Sequence, residues 1–221
     1  AYGGNGGCAY RLHIGTFPRP TAVYPAGGQL GQDIEVTFLG DATGPFKQTF
    51  KLPAENRELF ELEPKAGGQV APSGNRFRLF PHGNNLEVEP NDEIAKATPG
   101  VLPKAFNGVI EKQGDIDYFK FAAKKGQVFN IECYARRIRS GLDPVMNLYK
   151  ADGGGIAGND DSRGPDSFFR VTIPADGDYL LRITDHLGRG AKDFVYRDEM
   201  TQPKVQLTTS IPRFSRYGQY R

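Results

Sequence analysis

Residues 116–123 read Ile116-Asp-Tyr-Phe-Lys-Phe-Ala-Ala123, and residues 127–135 read Gln127-Val-Phe-Asn-Ile-Glu-Cys-Tyr-Ala135. In both stretches apolar residues alternate with polar ones. Because successive side chains of a strand point to opposite faces, each stretch predicts a strand with one buried face. The Lys124-Lys-Gly126 sequence between them is typical of a tight turn. Two half-buried strands in succession indicate an all-β fold.

The same alternation continues on both sides and defines a domain over residues 86–202. Turns such as Ala175-Asp-Gly177 separate the alternating stretches. The predicted strands are Phe106–Glu111, Ile116–Ala123, Gln127–Ala135, Pro144–Lys150, Ser167–Ile173, Asp178–Thr184 and Asp193–Met200. Strands of this length and spacing predict an antiparallel, jelly-roll-like β-sandwich.

Residues 17–85 form another predicted domain with shorter strands. The candidates are Asp33–Leu39, Phe46–Leu52, Glu58–Leu62 and Arg76–Phe80, with glycine and proline turns between them. This spacing is typical of a small immunoglobulin-like sandwich. Its opening stretch, Val23-Tyr-Pro-Ala-Gly-Gly28, resembles the start of bacterial TIG-type immunoglobulin-like domains. We therefore expect an all-β chain with two β-sandwich domains.

Composition agrees with this fold class and argues against several functions. The 221 residues include 28 glycines, 16 prolines and no tryptophan, which favours short strands and turns over long helices. The formal net charge is +2, and no basic stripe suited to nucleic acid stands out. No apolar run approaches the roughly 20 residues of a membrane span. Neither nucleic acid nor a membrane span is expected.

The link between the two predicted domains is rich in oxygen ligands. Glu87, Glu89 and Asn91 lie two residues apart and share one face of an extended segment, a conformation that Pro90 favours. Asp92 follows where the chain turns. A hard cation such as Ca²⁺ takes about six to eight oxygen ligands of this kind. An acidic, solvated linker is the alternative interpretation, and spacing alone leaves both open.

Motifs in residues 87–200 resemble the bacterial pre-peptidase C-terminal (PPC) domain and follow the order of that family. They are Glu89-Pro-Asn-Asp92, Gly114-Asp-Ile-Asp-Tyr-Phe-Lys-Phe121, Lys125-Gly-Gln127, Gly141-Leu-Asp-Pro144, Asn147-Leu-Tyr149, Asn159-Asp-Asp-Ser162 and Pro174-Ala-Asp-Gly-Asp-Tyr179. The resemblance implies a β-sandwich accessory module that is commonly attached to extracellular peptidases or repeated with immunoglobulin-like domains. It also implies a secreted, periplasmic or cell-surface location.

The resemblance further implies calcium as a cofactor. In the similar collagen-binding domains of clostridial collagenases, a Glu-x-Glu-x-Asn-Asp run contributes calcium ligands. Asp115 and Asp117 match the acidic strand start of the family by position. Asp117 ranks ahead of Asp115 because it alternates with Phe119 and Phe121 and so faces the side of those rings, where a carboxylate needs a partner. The candidate ligands are Glu87, Glu89, Asn91, Asp92, Asp117 and Asp115. A second oxygen-rich loop, Asn159-Asp-Asp-Ser162, fits local turn hydrogen bonds better than a second ion.

Glycine-rich sequence followed by Tyr-Arg occurs twice, at Tyr10-Arg11 and at Tyr196-Arg197. This similarity indicates a module repeat. It predicts that residues 1–16 include the last strand of an upstream PPC-like module and that residues 203–221 are a connector or the start of the next module. The strand at residues 10–14 would then pair with another module or a neighbouring chain.

No catalytic pattern is present, so we expect no enzyme activity in this chain. The GxSxG, HExxH and Walker motifs are absent, and His186 reads as a solvated loop histidine. Cys8 and Cys133 belong to no metal or redox motif. Cys133 alternates with apolar residues and is expected to be buried, and a disulfide between the two cysteines is left open.

One basic segment offers a candidate polymer-binding surface. Arg136 and Arg137 follow Tyr134 in a predicted loop, and guanidinium groups suit carboxylates or sulfates of extracellular polymers. A solvated loop paired with nearby aspartates is the alternative.

These observations lead to one main hypothesis and two rivals. The main hypothesis is a set of non-catalytic, calcium-stabilised extracellular modules of a large exported bacterial protein, used in surface assembly, adhesion or targeting. The first rival is an accessory region of a secreted peptidase or other hydrolase whose catalytic domain lies outside this chain. The second is a module that binds collagen or polysaccharide.

Overall fold

The structure is a computed structural model that describes Gly7 and residues 12–203. It confirms the all-β fold class: the described residues form strands and two short 3₁₀ turns, Ile94–Lys96 and Arg136–Ile138. Nowhere in residues 12–203 is there a helix with the length and hydropathy to cross a membrane. The strands are β1 Ala22–Tyr24, β2 Gly27–Gln29, β3 Asp33–Leu39, β4 Phe46–Lys51, β5 Phe60–Leu62, β6 Lys65–Ala66, β7 Gln69–Val70, β8 Asn75–Phe80, β9 Asn84–Leu86, β10 Thr98–Pro99, β11 Ala105–Val109, β12 Asp117–Ala123, β13 Val128–Tyr134, β14 Pro144–Lys150, β15 Gly155–Asn159, β16 Phe168–Thr172, β17 Gly177–Asp185 and β18 Val195–Thr201.

The first sandwich is made of two three-stranded sheets. One has the order β1-β3-β4 and is antiparallel; the other has the order β2-β8-β5, with β2 parallel to β8. Strands β6 and β7 form a separate hairpin. Val36 and Phe38 of one sheet pack with Phe77 and Leu79 of the other, so the two sheets share a core.

The second sandwich is larger, with two five-stranded sheets. Their orders are β10-β12-β17-β14-β15 and β16-β13-β18-β11-β9. The buried side chains of the two sheets form one cluster, in which the rings of Phe106 and Phe119 lie 4.9 Å apart. The alternating residues that the sequence places on the inner faces, including Phe129, Ile131 and Leu181, belong to this cluster.

At both predicted tight turns, the two strands that the turn joins do not pair with each other. The turn Lys124–Gly126 joins β12 to β13, and these two strands lie in different sheets. The turn Ala175–Gly177 likewise joins β16 to β17 across the sandwich. The Gly126 N–H donates to the Ile173 carbonyl at 2.8 Å, and this hydrogen bond holds the two turns together. Both turns are therefore corners of the sandwich and not hairpins within one sheet.

A third apolar cluster lies between the two sandwiches. Ala22 and Ala26 from the first sandwich are buried against Val109 and Val195 from the second. Polar contacts surround this cluster. The Thr21 hydroxyl donates to Asp193 Oδ2 at 2.6 Å. The interface therefore combines apolar burial with polar pairs at its rim.

A buried arginine anchors the same interface. The Arg197 side chain is fully buried and donates to Glu199 at 2.9 Å and to Asn84 at 2.7 Å. Gly27 of the first sandwich lies so close that a Cβ atom there would overlap the guanidinium group. Arg78, also from the first sandwich, reaches the other oxygen of Glu199 at 2.9 Å. Glu199 thus binds one arginine from each sandwich.

Several predictions concern residues that the structure does not describe. Those residues include Cys8, Tyr10, Arg11 and 204–221, so the upstream strand, the disulfide and most of the connector remain predictions. Residues 12–14 form no strand. Cys133 is fully buried in the core of the second sandwich.

We expect Arg197→Ala to lower the free energy of unfolding by about 3 kcal/mol, because it removes a buried charge from a hydrogen-bonded network. The control is Lys47→Ala, which breaks the exposed Lys47–Glu35 ion pair and is expected to cost at most about 1 kcal/mol. Urea unfolding of both variants gives the comparison. Equal midpoints for the two variants would show that Arg197 contributes no more than a surface charge.

Candidate functional site

The acidic residues singled out in the sequence come together where the inter-domain link meets the second sandwich. One carboxylate oxygen each from Glu87, Glu89 and Asp117 lie within 4.8 Å of one another. Glu87 and Glu89 lie just after β9, whereas Asp117 is the first residue of β12. We call this group, with Asn91 beside it, the acidic corner.

Glu87 is held by the backbone of β11. Both of its carboxylate oxygens accept a hydrogen bond from the Val109 N–H, at 2.9 and 3.0 Å. Residue 108 is a glycine, and a Cβ atom there would overlap both the Glu87 carboxylate and the Tyr196 hydroxyl. The absence of a side chain at Gly108 therefore lets two polar groups approach the strand.

Asp117 and Asn91 each bury an oxygen atom that has no hydrogen-bond partner. The Tyr196 hydroxyl donates to Asp117 Oδ2 at 2.6 Å, and Asp117 Oδ1 is left without a donor. Asn91 Nδ2 donates to Thr98 Oγ1 at 3.3 Å, and Asn91 Oδ1 is left without a donor. Both residues have 0% exposure. An unsatisfied buried acceptor costs about 1–3 kcal/mol, so the corner favours a positively charged partner.

The backbone of the link is fixed as well. The Asn91 N–H donates to Glu89 Oε2 at 3.0 Å, and the Asn91 carbonyl accepts the Tyr118 N–H at 3.2 Å. The Val88 N–H donates to Thr98 Oγ1 at 3.0 Å. These contacts hold the link along the start of β12, with the side chains of Glu87 and Glu89 toward Asp117.

Asp92 and Asp115 occupy the outer side of the corner. The Lys112 ammonium lies 3.6 Å from Asp92 Oδ2 and 3.3 Å from Asp115 Oδ1. Asp115 Oδ2 accepts the Glu111 N–H at 2.6 Å. These two residues lie outside the group formed by Glu87, Glu89 and Asp117, and their role as ligands stays a prediction.

Burial changes the acidity of the inner carboxyl groups. Desolvation, followed by the charge of Asp117, raises the pKa of Glu87 far above its usual range. Desolvation also raises the pKa of Asp117, and the hydrogen bond from Tyr196 opposes that rise. Desolvation raises the pKa of Glu89 too. The corner therefore takes up protons when no other positive charge is present.

A second acidic group forms near the loop at residues 159–162. Oxygens of Asp143, Asp160 and Asp161 lie within 4.8 Å of one another, and His186 Nδ1 is 2.8 Å from Asp160 Oδ2. Asn159 Oδ1 accepts the backbone N–H groups of Ser162 and Phe168, both at 3.0 Å. This loop therefore makes the local hydrogen bonds expected of a turn.

The arginine segment is not the open loop that the sequence suggests. Residues 136–138 form a 3₁₀ turn, and Arg137 donates to Asp166 at 2.7 Å and to Glu132 at 2.8 Å. The Tyr134 ring lies against two guanidinium groups, that of Arg78 at 3.9 Å and that of Arg137 at 4.2 Å. Arg137 and Tyr134 are thus engaged within the chain, and Arg136 is the exposed member of the three.

Sequence reasoning did not identify the residues that position the corner. Tyr196 was noted only as part of a repeat, and Gly108 was not noted. The signal that could have found Tyr196 is its inward position in β18, where a buried hydroxyl needs an acceptor. Gly108 carries no local signal, because its role depends on a glutamate that is distant in the chain.

Two comparisons concern the sequence of the second sandwich. Residues 115–185 match the model of the family described as the bacterial pre-peptidase C-terminal domain. A probable subtilase-type serine protease of Deinococcus radiodurans is 36% identical over 99 residues, which is 43% of this chain and 14% of that protein. The chain therefore spans only a small part of this relative.

Two solved structures show low overall similarity. The pre-peptidase C-terminal domain of a Bacillus anthracis collagenase is 14% identical, with a TM-score of 0.37, and the match covers 55% of this chain and 98% of that domain. A periplasmic inhibitor of g-type lysozyme from Aeromonas hydrophila is 13% identical, with a TM-score of 0.36 and coverage of 54% and 100%. The match to the PPC domain that the motifs predict rests on the sequence of residues 115–185 and not on these two structures. Asp115 and Asp117 lie at the start of the matched region.

Proposed function

We propose that this chain is a non-catalytic pair of β-sandwich modules in which Ca²⁺ binds the acidic corner and ties the inter-domain link to the second sandwich. The observation that carries this proposal is the pair of buried, unpartnered oxygens of Asn91 and Asp117 beside the carboxylates of Glu87 and Glu89. Each of these groups gains from a cation, and within residues 12–203 no ion pair joins a basic side chain to Glu87, Glu89 or Asp117.

The donor set favours calcium over other metals. The proposed ligands supply carboxylate and amide oxygens, and no described cysteine or histidine, whose thiolate or imidazole zinc prefers, belongs to the group. Mg²⁺ demands near-octahedral geometry and releases its waters reluctantly, whereas Ca²⁺ accepts irregular oxygen sites. The calcium ligands from the link would be Glu87, Glu89 and Asn91, and the ligand from β12 would be Asp117. The ion would supply the positive charge that these groups lack.

A shared proton is the competing explanation for the corner. The raised pKa values of Glu87 and Asp117 mean that protonation also relieves the buried charge. A proton satisfies one oxygen, however, whereas the corner has two orphaned acceptors on different residues. Calcium therefore accounts for more of the geometry.

For the whole protein, the proposal is a role in surface assembly, adhesion or targeting within an exported bacterial protein. The sequence match to a PPC domain supports an accessory role, and the match to a probable subtilase-type protease supports the alternative of a module beside a secreted peptidase. Either role fits a secreted, periplasmic or cell-surface location. Binding of collagen or polysaccharide is a weaker alternative, because Arg137 and Tyr134 are already engaged.

We expect saturating Ca²⁺ to raise the melting temperature of the chain. At a concentration about 100 times Kd, binding adds about 2.7 kcal/mol, which corresponds to roughly 5–10 °C for a protein of this size. Asp117→Asn should abolish the shift. Its calcium-free melting temperature should equal or exceed that of the parent, because an amide replaces a buried carboxylate.

The matched control is Asp178→Asn, which makes the same change at an exposed residue that pairs with Lys120. This variant should keep the full calcium response. Thermal melts with EDTA and with a calcium series give both results. A parent protein that shows no shift at millimolar Ca²⁺ would contradict the proposed site.

We expect stability without calcium to fall as the pH rises. The folded-state pKa values of Glu87 and Asp117 lie above their unfolded values, so their contribution is complete below about pH 4 and is lost as the pH rises toward neutrality and beyond. Each released proton costs up to about 1.4 kcal/mol per pH unit. Calcium binds the ionised groups, so its stabilising effect should grow with pH.

Melts at pH 5 and pH 8, with EDTA and with calcium, measure this dependence. Glu87→Gln should flatten the pH dependence of the calcium-free protein. A calcium effect of the same size at both pH values would argue that the ion binds groups other than the buried carboxyls.

A further inference from the structure

We infer that the first sandwich is part of the cation site: Tyr24 positions the Glu87 segment, so calcium affinity depends on the docking of the two sandwiches. This inference rests on the proposed calcium site and adds a residue from outside the region that matches the PPC family. It assigns Tyr24 as a positioning residue and not as a ligand.

The first observation is a shared carbonyl. Tyr24, at the end of β1, donates from its hydroxyl to the Asn107 carbonyl at 3.4 Å. The same carbonyl accepts the Glu87 N–H at 3.0 Å. One side chain of the first sandwich thus contacts the carbonyl that accepts the hydrogen bond fixing the start of the link.

The second observation concerns the donor to the Glu87 carboxylate. The Val109 N–H binds both carboxylate oxygens, and the Val109 side chain is buried in the cluster between the sandwiches. Ala22 and Ala26 of the first sandwich are in that cluster, and Tyr24 packs against it. The backbone that orients Glu87 is therefore packed on its outer side by the first sandwich.

These two contacts make the orientation of Glu87 sensitive to how the sandwiches dock. A ligand whose carboxylate is held in advance loses less conformational freedom on binding, which raises affinity. Coupling of this kind is reciprocal, so bound calcium must strengthen docking by the same factor by which docking strengthens calcium binding.

Other contacts across the interface lie away from the corner and provide controls. The Thr21–Asp193 hydrogen bond and the Arg139–Glu61 ion pair, at 2.8 Å, connect the sandwiches without touching Glu87, Asn107 or Val109. When one of these contacts is lost, the Arg78–Glu199 pair and the apolar cluster still dock the sandwiches and Glu87 keeps its orientation. Loss of the Tyr24 hydroxyl instead releases the link itself.

The test compares Tyr24→Phe with Thr21→Val in the full 221-residue chain. Each variant removes one hydroxyl and keeps nearly the same volume. Isothermal titration with CaCl₂ should give a roughly two- to ten-fold higher Kd for Tyr24→Phe than for the parent, as expected for one lost hydrogen bond. Thr21→Val should bind calcium as the parent does.

A second measurement tests reciprocity at a strand that holds no ligand. In hydrogen–deuterium exchange, calcium should slow exchange of β1 amides in the parent, and this effect should be smaller in Tyr24→Phe. A general loss of stability changes exchange with and without calcium alike and leaves the difference between the two conditions unchanged.

The outcomes separate this inference from the proposal beneath it. If the parent and Tyr24→Phe bind calcium equally well, or if Thr21→Val loses as much affinity, the role of Tyr24 is refuted and the calcium site stands. If the parent binds no calcium, the proposed function itself fails, and the inference fails with it.

Discussion

Buried acidic oxygens at the junction of the two sandwiches are the constraint on which the surrounding structure depends. Burying a carboxylate without a partner is costly, so each such group must gain a donor, a proton or a cation. The Val109 N–H donates to Glu87 and the Tyr196 hydroxyl donates to Asp117, while Gly108 makes room for the Glu87 carboxylate and the Tyr196 hydroxyl. What these donors leave unsatisfied defines the place for a cation.

The joint between the sandwiches does not depend on that cation alone. Arg197 and Arg78 meet at Glu199, and the alanine–valine cluster excludes water beside them. The interface thus has its own buried network, and the proposed ion acts on the link that runs along this interface.

Alternation in the sequence predicted which side chains face the core, since the two-residue period of a strand is a local property. It did not predict strand partners, because the turn at 124–126 has the composition of a hairpin yet crosses between sheets. The edge strands β9, β10 and β15 were also missed: β9 and β10 have only three and two residues, and β15 contains two glycines and no clear alternation.

For the candidate site, too, the sequence predicted the local features and missed the contacts between distant segments. Clustering of Glu87, Glu89 and Asp117 follows from local spacing together with the family motif, and the structure brings these three residues together. The residues that position them come from distant segments. Tyr196 reaches Asp117 from the opposite sheet, and Tyr24 reaches the Asn107 carbonyl from the first sandwich. For Arg137, the sequence left polymer binding and pairing with an aspartate open, and the structure shows the pair with Asp166, which lies on a distant loop.

Protonation of the corner has a consequence for how the chain folds. Because the pKa values of Glu87 and Asp117 are raised by burial, a proton shared at the corner compensates part of the buried charge before any calcium is bound. With the calcium site that we propose, the modules would fold where calcium is scarce. Extracellular calcium modules bind with Kd values of about 10⁻⁴–10⁻³ M. If the protein is exported as we propose, a site of that affinity would exchange protons for calcium only after export, and the exchange would add stability there.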